Sequence, residues 1–188
     1  MRKLIVFNQV SLDGYFTDAN GDMSFARKDA GDVEWNAFVS GNASNGGVLV
    51  FGRITYELMS SFWPTPLAAQ MMPVVAERMN SLPKVVFSRT LKEASWSNTT
   101  LVPGDVVGAV RKMKNERGPD MAILGSGSLV SQLAPHRLID HYKIVVVPIV
   151  LGRGRTMFEG VRESIPLKLA GTRAFGNGNV LLNYEPIG

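Results

Sequence analysis

The chain alternates between short apolar runs and longer segments of mixed polarity. Eight runs have the length and residue types of β-strands, and several of them, such as LIVF, VLVF and IVVV, are apolar at every position. That pattern is typical of parallel strands that are covered on both faces, so we expect a largely parallel sheet. The predicted strands are Leu4–Gln9, Val48–Phe51, Lys84–Phe87, Thr99–Val102, Met121–Leu124, His141–Val150, Leu167–Ala174 and Val180–Tyr184.

Helical patterns lie between these strands. In the clearest of them, Asp105 can cap the helix, and Val106, Val110 and Met113 share one face. The proline-rich segment 62–73, FWPTPLAAQMMP, predicts an irregular excursion whose methionines either pack in the core or form a lid over a ligand. The predicted helices are Val33–Ser44, Arg53–Ser60, Val74–Ser81, Val106–Glu116 and Ser128–Leu133.

The end of the chain has a different character. Asn177-Gly178 separates two strand patterns and is a strong hairpin signal, so the last two strands should be antiparallel. Helices between the earlier strands, with a hairpin at the end, predict an α/β sandwich around a mixed sheet. The sequence contains no internal repeat, linker or low-complexity segment, and we predict a single domain over residues 1–188.

Composition excludes several kinds of site. The chain has no cysteine, which rules out disulfides, cysteine nucleophiles and thiolate zinc sites. His136 and His141 are the only histidines, and their spacing matches no common metal motif, so we expect both to be structural or surface residues. We therefore predict no metal site.

Charge and hydropathy narrow the range of partners. The net charge is +4, but the basic residues are scattered and no nucleic-acid motif occurs, so we expect either a plain basic surface or anionic small-molecule ligands. No stretch approaches the ~20 apolar residues of a membrane span, and the first apolar run is too short for a signal peptide. We expect a cytoplasmic protein without a membrane or nucleic-acid partner.

Three predicted strands end in small, polar or cationic residues. Ligands of α/β sheets bind outside the carboxyl ends of the strands. A strand-to-helix turn also offers free N–H groups and the positive end of a helix dipole to an anion. We therefore predict a cleft for a long, phosphate-bearing ligand. Its candidate residues are Gly52, Arg53 and Thr55 at the first strand end, Ser88, Arg89 and Thr90 at the second, and Gly125, Ser126, Gly127 and Ser128 at the third.

The third strand end is the richest in glycine. Gly125 and Gly127 would let backbone N–H groups approach a pyrophosphate without interference from a Cβ atom, although glycines equally serve tight turns. The third glycine of the dinucleotide fingerprint is replaced by Val130, and the chain has neither a G-x-S-x-G elbow nor a Walker lysine. Serine-hydrolase and P-loop functions therefore lack their main sequence support.

Four motifs together resemble one known family. They are SLDGY at 11–15, VFGRITYE at 50–57, ILGSGSL at 123–129 and PIVLGRGRTMF at 148–158. These motifs, and their order along the chain, resemble those of the dihydrofolate reductase-like group. That group includes the C-terminal reductase domain of the riboflavin-biosynthesis deaminase-reductase. The resemblance implies a three-layer sandwich with an eight-stranded mixed sheet, NADPH as the hydride donor and, for the riboflavin branch, a homodimer. A partner chain could cover part of the apolar run 142–150.

The resemblance also implies roles for the residues at the three strand ends. Gly52, Arg53 and Thr55 match the segment that holds cofactor phosphates, Ser88, Arg89 and Thr90 match the loop that meets the adenosine 2′-phosphate, and residues 125–128 match the pyrophosphate turn. Classical dihydrofolate reductases carry adjacent glycines at that turn, whereas Ser126 separates the two glycines here.

Candidates on the substrate side each have an alternative. The resemblance implies that Asp13 lies in the equivalent of a loop that closes over the nicotinamide, and that Asp32 is the counterpart of the pterin-binding carboxylate, so these two are the candidate catalytic residues. The alternatives are a turn residue for Asp13 and a helix N-cap for Asp32. Asn8 either faces the pocket or bonds only to neighbouring backbone. Arg153 or Arg155 either binds a substrate phosphate or lies in an exposed basic loop.

Two classes of function remain. The leading one is an NADPH-dependent reductase of a small heterocyclic or carbonyl-bearing substrate, similar to the riboflavin-pathway reductase, with a true dihydrofolate reductase as an alternative. The rival is a nucleotide-binding module or sensor that has kept the cofactor cleft and lost turnover.

Overall fold

A computed structural model of the chain describes residues 1–26, 31–44 and 47–187. The strands are β1 (Leu4–Ser11), β2 (Tyr15–Thr17), β3 (Val48–Gly52), β4 (Lys84–Phe87), β5 (Thr99–Val102), β6 (Met121–Leu124), β7 (His141–Val147), β8 (Arg155–Thr156), β9 (Leu167–Ala174) and β10 (Val180–Pro186). The helices are α1 (Val33–Ser44), α2 (Arg53–Phe62), α3 (Pro66–Met71), α4 (Pro73–Ser81), α5 (Val106–Asn115) and α6 (Gly127–Leu133). Short 3-10 turns occur at Ser24–Ala26 and Ala134–His136.

One eight-stranded sheet organises the fold, in the order β5-β4-β3-β6-β1-β7-β10-β9. Every pairing from β5 to β7 is parallel, and β10 is antiparallel to both β7 and β9. The short strands β2 and β8 form a separate antiparallel ribbon. These pairings confirm the predicted mixed, largely parallel sheet with a C-terminal antiparallel hairpin.

Helices cover both faces of the sheet. In β3, Val48 and Val50 pack in the apolar cluster that contains α5 and α6, whereas Leu49 and Phe51 pack with α2 and α4. Because successive side chains of a strand point to opposite faces, the two helix groups lie on opposite sides. Val50 and Phe51 are fully buried, and each contributes about 1.5–3 kcal/mol of hydrophobic stabilisation. The result is the three-layer sandwich that the resemblance implied.

The C-terminal hairpin is anchored to α1. Phe175 N–H donates to the Asn179 carbonyl at 2.9 Å, and the loop contains Gly178 at φ +85°. Phe175 also packs edge-on against Trp35 of α1, with ring centroids 5.1 Å apart. The Asn-Gly signal therefore marks the hairpin as predicted, within a loop of residues 175–179.

Two segments differ from the sequence predictions. The strand predicted to reach Val150 ends at Val147, because Pro148 has no N–H to donate and Ile149 N–H turns back to the Val147 carbonyl at 2.8 Å. The segment predicted to be irregular contains helix α3. Thr65 accepts a hydrogen bond from Ala68 N–H at its start, and a proline occupies the first turn, where it is well tolerated.

Candidate functional site

A cavity of about 620 Å³ lies outside the carboxyl ends of β3, β4 and β6. Because parallel strands end at the same edge of a sheet, the three predicted strand ends meet there. The cavity is lined by eight of the ten predicted cofactor residues: Gly52, Arg53, Thr55, Ser88, Arg89, Ser126, Gly127 and Ser128. Thr90 and Gly125 stand beside it without lining it.

The β3 end leads directly into α2. Gly52 is the N-cap residue in an extended conformation, and the first N–H groups of α2 have no acceptor within their own helix. The Nη1 atom of Arg53 donates to both carboxylate oxygens of Glu57, at 3.1 and 2.8 Å. The charge of Arg53 is therefore balanced by a carboxylate one turn along the helix.

The β6 end makes a left-handed turn. Gly125 and Ser126 have φ of +61° and +54°, and Ser126 N–H donates to Thr55 Oγ1 at 3.0 Å. A Cβ on Gly125 would come within 2.9 Å of Thr55 Cγ2, so a larger residue cannot take its place without a shift. The glycine here serves a close approach of β6 to α2.

Asn8 of β1 holds the same turn through hydrogen bonds to Gly125. Its side chain is buried, its Oδ1 accepts from Gly125 N–H at 2.7 Å, and its Nδ2 donates to the Gly125 carbonyl at 3.1 Å. Nδ2 also lies 2.8 Å from the Met157 sulfur. Of the two alternatives for Asn8, hydrogen bonding to neighbouring backbone is the one observed, and Asn8 does not line the cavity.

The β4 end presents an arginine. Ser88 Oγ accepts from Thr90 N–H at 3.1 Å and from Leu91 N–H at 2.9 Å, which fixes the turn. Arg89 lines the cavity, and it forms no hydrogen bond or ion pair with any residue that the structure describes. Its guanidinium is therefore available to an anion.

Asp13 lies in the loop after β1, outside the cavity lining. Its carboxylate accepts hydrogen bonds from the N–H groups of Leu151, at 3.1 Å, and Gly152, at 2.7 Å. The Ser11 hydroxyl, with these N–H groups, holds the pKa of Asp13 below its usual value. Through these contacts Asp13 joins the loops that follow β1 and β7, and its catalytic role stays a prediction.

Asp32 takes the alternative place, at the start of α1. Its Oδ1 accepts from Trp35 N–H at 2.9 Å, and its Oδ2 accepts from Asn177 Nδ2 at 2.7 Å. Glu34 pairs with Arg173 at 2.9 Å. The carboxylate expected to bind substrate thus caps α1 and ties it to the C-terminal hairpin, outside the cavity lining.

The β2–β8 ribbon forms a wall of the cavity that the sequence did not reveal. Phe16 and Thr17 come from β2, and Arg155 and Thr156 from β8. Of the two arginines offered as alternatives, both exposed, Arg155 lines the cavity and Arg153 does not. Strands of two or three residues are too short for an apolar alternation, so no periodic signal could have found them.

Among residues 1–26, 31–44 and 47–187, no group of three or more His, Cys, Asp or Glu residues could hold a metal ion. No helix among those residues has the length and apolar character needed to span a membrane.

Comparison with known proteins agrees with this architecture. The chain is 27% identical over 184 residues to the uncharacterized protein YyaP of Bacillus subtilis (strain 168), covering 98% of this chain and 95% of YyaP. The "Putative riboflavin biosynthesis protein" of Shewanella sp. PV-4 has a similar structure, with a TM-score of 0.75, 23% identity and 99% of each chain covered. Dihydrofolate reductase from Enterococcus faecalis, complexed with NADP(H), superimposes with a TM-score of 0.66 and 13% identity, covering 99% of this chain and 97% of that one.

These structures share the fold with this chain, and the family follows from the sequence. The family model for the RibD C-terminal domain matches residues 2–181, nearly the whole chain. The chain therefore belongs to the RibD C-terminal domain family.

Proposed function

We propose that the protein is an NADPH-dependent reductase that transfers a hydride to a small heterocyclic or carbonyl-bearing molecule. The observation that carries this proposal is the meeting of three strand ends on one cavity, with Gly52-Arg53, Ser88-Arg89 and the turn 125–128 at its edge. Membership of the RibD C-terminal domain family supports a reductase, and the Enterococcus enzyme of the same fold binds NADP(H).

The chemistry of the cavity suits a dinucleotide with phosphate groups. Arginine side chains line it at Arg53, Arg89 and Arg155, against carboxylates at Asp105 and Glu159. Serine hydroxyls and the first N–H groups of α2 add hydrogen-bond donors. Guanidinium groups hold phosphates through two hydrogen bonds, so this donor set fits the cofactor.

Each strand end has a distinct role in this proposal. The N-terminus of α2, after Gly52, faces the pyrophosphate, and the left-handed turn at Ser126 brings the β6 backbone beside it. Arg89 has no charged partner among the described residues and binds the adenosine 2′-phosphate. Arg53 is balanced by Glu57 and contributes less.

The chain itself contributes to the reaction by binding the ligands and by excluding water. When bound, the nicotinamide supplies the hydride. The β2–β8 ribbon forms one wall of the cavity, where the buried Phe16 ring lies against Gly127 and contributes an apolar surface. An apolar wall keeps water from the reacting groups and orients a flat ligand ring.

A second function, a nucleotide-binding module without turnover, is favoured by one observation. Neither Asp13 nor Asp32 lines the cavity, and both carboxylates are engaged by backbone or side-chain donors elsewhere. A module of this kind would bind NADPH and oxidise none of it.

We also propose a homodimer of a cytoplasmic protein. Ile144 and Val146 of β7 are only partly buried within the chain, and Leu169 on the edge strand β9 is exposed. A second copy could cover this apolar surface. Light scattering at micromolar concentration should give twice the mass of 20.5 kDa, and a monomer would refute the dimer.

Calorimetry with NADPH and NADH, followed by an oxidation assay, tests the function. We expect NADPH to bind more tightly than NADH, because the 2′-phosphate meets Arg89. Loss of near-ultraviolet absorbance of NADPH is then screened against dihydrofolate, pyrimidine ribitol precursors and simple carbonyls. Turnover supports the reductase, binding without turnover of any substrate supports the module, and no binding of either cofactor refutes both.

A further inference from the structure

Asn-Gly pairs occur at three places in the chain: 20–21, 45–46 and 177–178. An asparagine followed by glycine is especially prone to deamidation, because glycine has no Cβ atom to hinder attack by its own nitrogen. Residues 45–46 lie outside the described part of the chain. The pair at 177–178 serves the C-terminal hairpin, and the pair at 20–21 follows strand β2. These last two pairs can be compared atom by atom.

The two described pairs have nearly the same backbone. Gly21 has a φ of +84° and Gly178 a φ of +85°. Gly21 N–H donates to the Asp18 carbonyl at 3.2 Å. In the same way, Gly178 N–H donates to the Phe175 carbonyl at 2.9 Å. Because sequence and backbone match, any difference in reactivity depends on the asparagine side chains.

The side chains of the two asparagines are held differently. Asn177 is half-buried, its Nδ2 donates to Asp32 Oδ2 at 2.7 Å, and its Oδ1 accepts from Asn179 N–H at 2.9 Å. Asn20 and Gly21 are both exposed, and the Asn20 side chain has no hydrogen-bond partner among the described residues. The Asn20 amide is therefore free to turn toward the Gly21 nitrogen, whereas Asn177 first has to break two hydrogen bonds.

We propose that Asn20 is a site of spontaneous deamidation beside the cavity. The Gly21 nitrogen attacks Asn20 Cγ, so an N–Cγ bond forms and the Cγ–Nδ2 bond breaks. The side-chain amide leaves as ammonia and takes with it the proton of the Gly21 N–H. Water then opens the resulting succinimide at either carbonyl, which gives aspartate or isoaspartate. The whole reaction consumes only water.

The position of Asn20 connects this reaction to the cavity. Gly21 and Met23 line the cavity, and so does Thr17, at the end of β2. The turn is already acidic, because Asp18 Oδ1 accepts the Asn20 N–H at 2.7 Å. Deamidation adds a second negative charge there, and isoaspartate also lengthens the backbone by one methylene. The consequence for ligand binding rests on the proposed function, because the added charge repels an anionic cofactor.

Peptide mapping by mass spectrometry, without any ligand, follows both asparagines during prolonged incubation at mildly alkaline pH. In the folded protein, Asn20 should react at least about 10-fold faster than Asn177, because the hydrogen bond to the Asp32 carboxylate keeps Asn177 in place. In protein unfolded by urea the two rates should converge. Equal rates in the folded protein, or the same ratio of rates before and after unfolding, would overturn the inference.

A variant tests whether the side-chain contact protects Asn177. Asp32→Asn keeps an oxygen that can accept from Trp35 N–H at the start of α1, but it removes the charged acceptor of Asn177. It should accelerate deamidation at Asn177 and leave the rate at Asn20 unchanged. Thr65→Ala is the matched control, because it removes the N-cap of another helix, α3, and should change neither rate. Equal acceleration of both asparagines by Asp32→Asn would contradict the protective contact.

Two further variants test the effect on the cavity. Asn20→Asp carries the charge of the product, and Asn20→Gln keeps a neutral amide. Asn20→Asp should bind NADPH roughly 2- to 5-fold more weakly than Asn20→Gln at low ionic strength, and added salt should reduce the difference. Equal affinities would refute the effect of deamidation on the ligand. If the unaltered protein binds no NADPH, the proposed function falls, and the deamidation rates, measured without ligand, still decide whether Asn20 is the site.

Discussion

The backbone N–H of Gly52 donates a 2.8 Å hydrogen bond to Ser126 Oγ, although the two residues are 74 positions apart in the chain. Ser126 returns a second contact, because its own N–H donates to Thr55 Oγ1 in the first turn of α2. The ends of β3 and β6 are thus joined into one rigid edge of the cavity.

Replacing Ser126 should distinguish the effect of its side-chain hydrogen bond from the effect of its strained left-handed backbone. Ser126→Ala leaves the buried Gly52 N–H without its acceptor and keeps the left-handed strain, so we expect a loss of about 1–3 kcal/mol in the free energy of unfolding. Ser126→Gly should lose about 1 kcal/mol less, because glycine adopts φ +54° without strain. Denaturant unfolding measures both, with the exposed Ser81→Ala as control. Equal losses in the two Ser126 variants would show that strain plays no part.

The loops after β1 and β7 should separate when Asp13 is altered. Asp13→Ala removes the acceptor of the Leu151 and Gly152 N–H groups, so hydrogen exchange at these two amides should accelerate. Because the pKa of Asp13 is lowered, the folded carboxylate stays charged at moderately acidic pH, and its contribution to stability is lost only as pH falls through that lowered pKa. Unchanged exchange at both amides would contradict this role.

Lys84 should make stability rise with pH in a narrow window. Burial lowers the pKa of Lys84 from 10.5 to about 8, so the unfolded chain holds more protons above pH 8. Its Nζ donates to the carbonyls of Asn80 and Leu82 and lies 4.5 Å from the Trp96 ring centre. These contacts partly stabilise the charged ammonium group. Between pH 8 and about 9.5 the free energy of unfolding should increase by at most about 2 kcal/mol.

The window ends there because Tyr142 acts in the opposite direction. Burial raises the pKa of Tyr142 to about 12, so stability falls as pH rises above the usual tyrosine pKa of about 10. Lys84→Met removes the titrating group and should flatten the profile between pH 8 and about 9.5. The same slope in Lys84→Met and in the unaltered protein would show that other groups cause it.

Sequence patterns predicted the parts of the fold that have a local signal. The apolar run at Val48–Phe51 marked a buried strand, and Asn177-Gly178 marked the hairpin, because each signal is local and independent of packing. The strand-end residues Arg53 and Arg89 were found on the cavity because parallel strands end at one edge.

The remaining features depend on contacts between distant segments. Arg153 and Arg155 both adjoin Gly154 in the sequence, and only the pairing of β8 with β2 places Arg155 in the cavity. Asp32 carries the same carboxylate whether it caps α1 or binds a substrate, so its position in the fold decides its role. Helix α3 was not predicted, because the prolines before and after it are a stronger sequence signal for an irregular segment than its N-cap residue is for a helix.

The most direct test of the central claim compares Arg89→Ala with the unaltered protein for binding of NADPH and NADH. A hydrogen bond to a charged group contributes about 1.5–3 kcal/mol, so the variant should bind NADPH roughly 10- to 150-fold more weakly. NADH lacks the 2′-phosphate and should lose little affinity. Arg53→Ala is the comparison, because Arg53 faces the same cavity with its charge already balanced by Glu57. Equal losses for both cofactors in an Arg89→Ala protein that still unfolds cooperatively would contradict the account, because Arg89 would then not bind the 2′-phosphate.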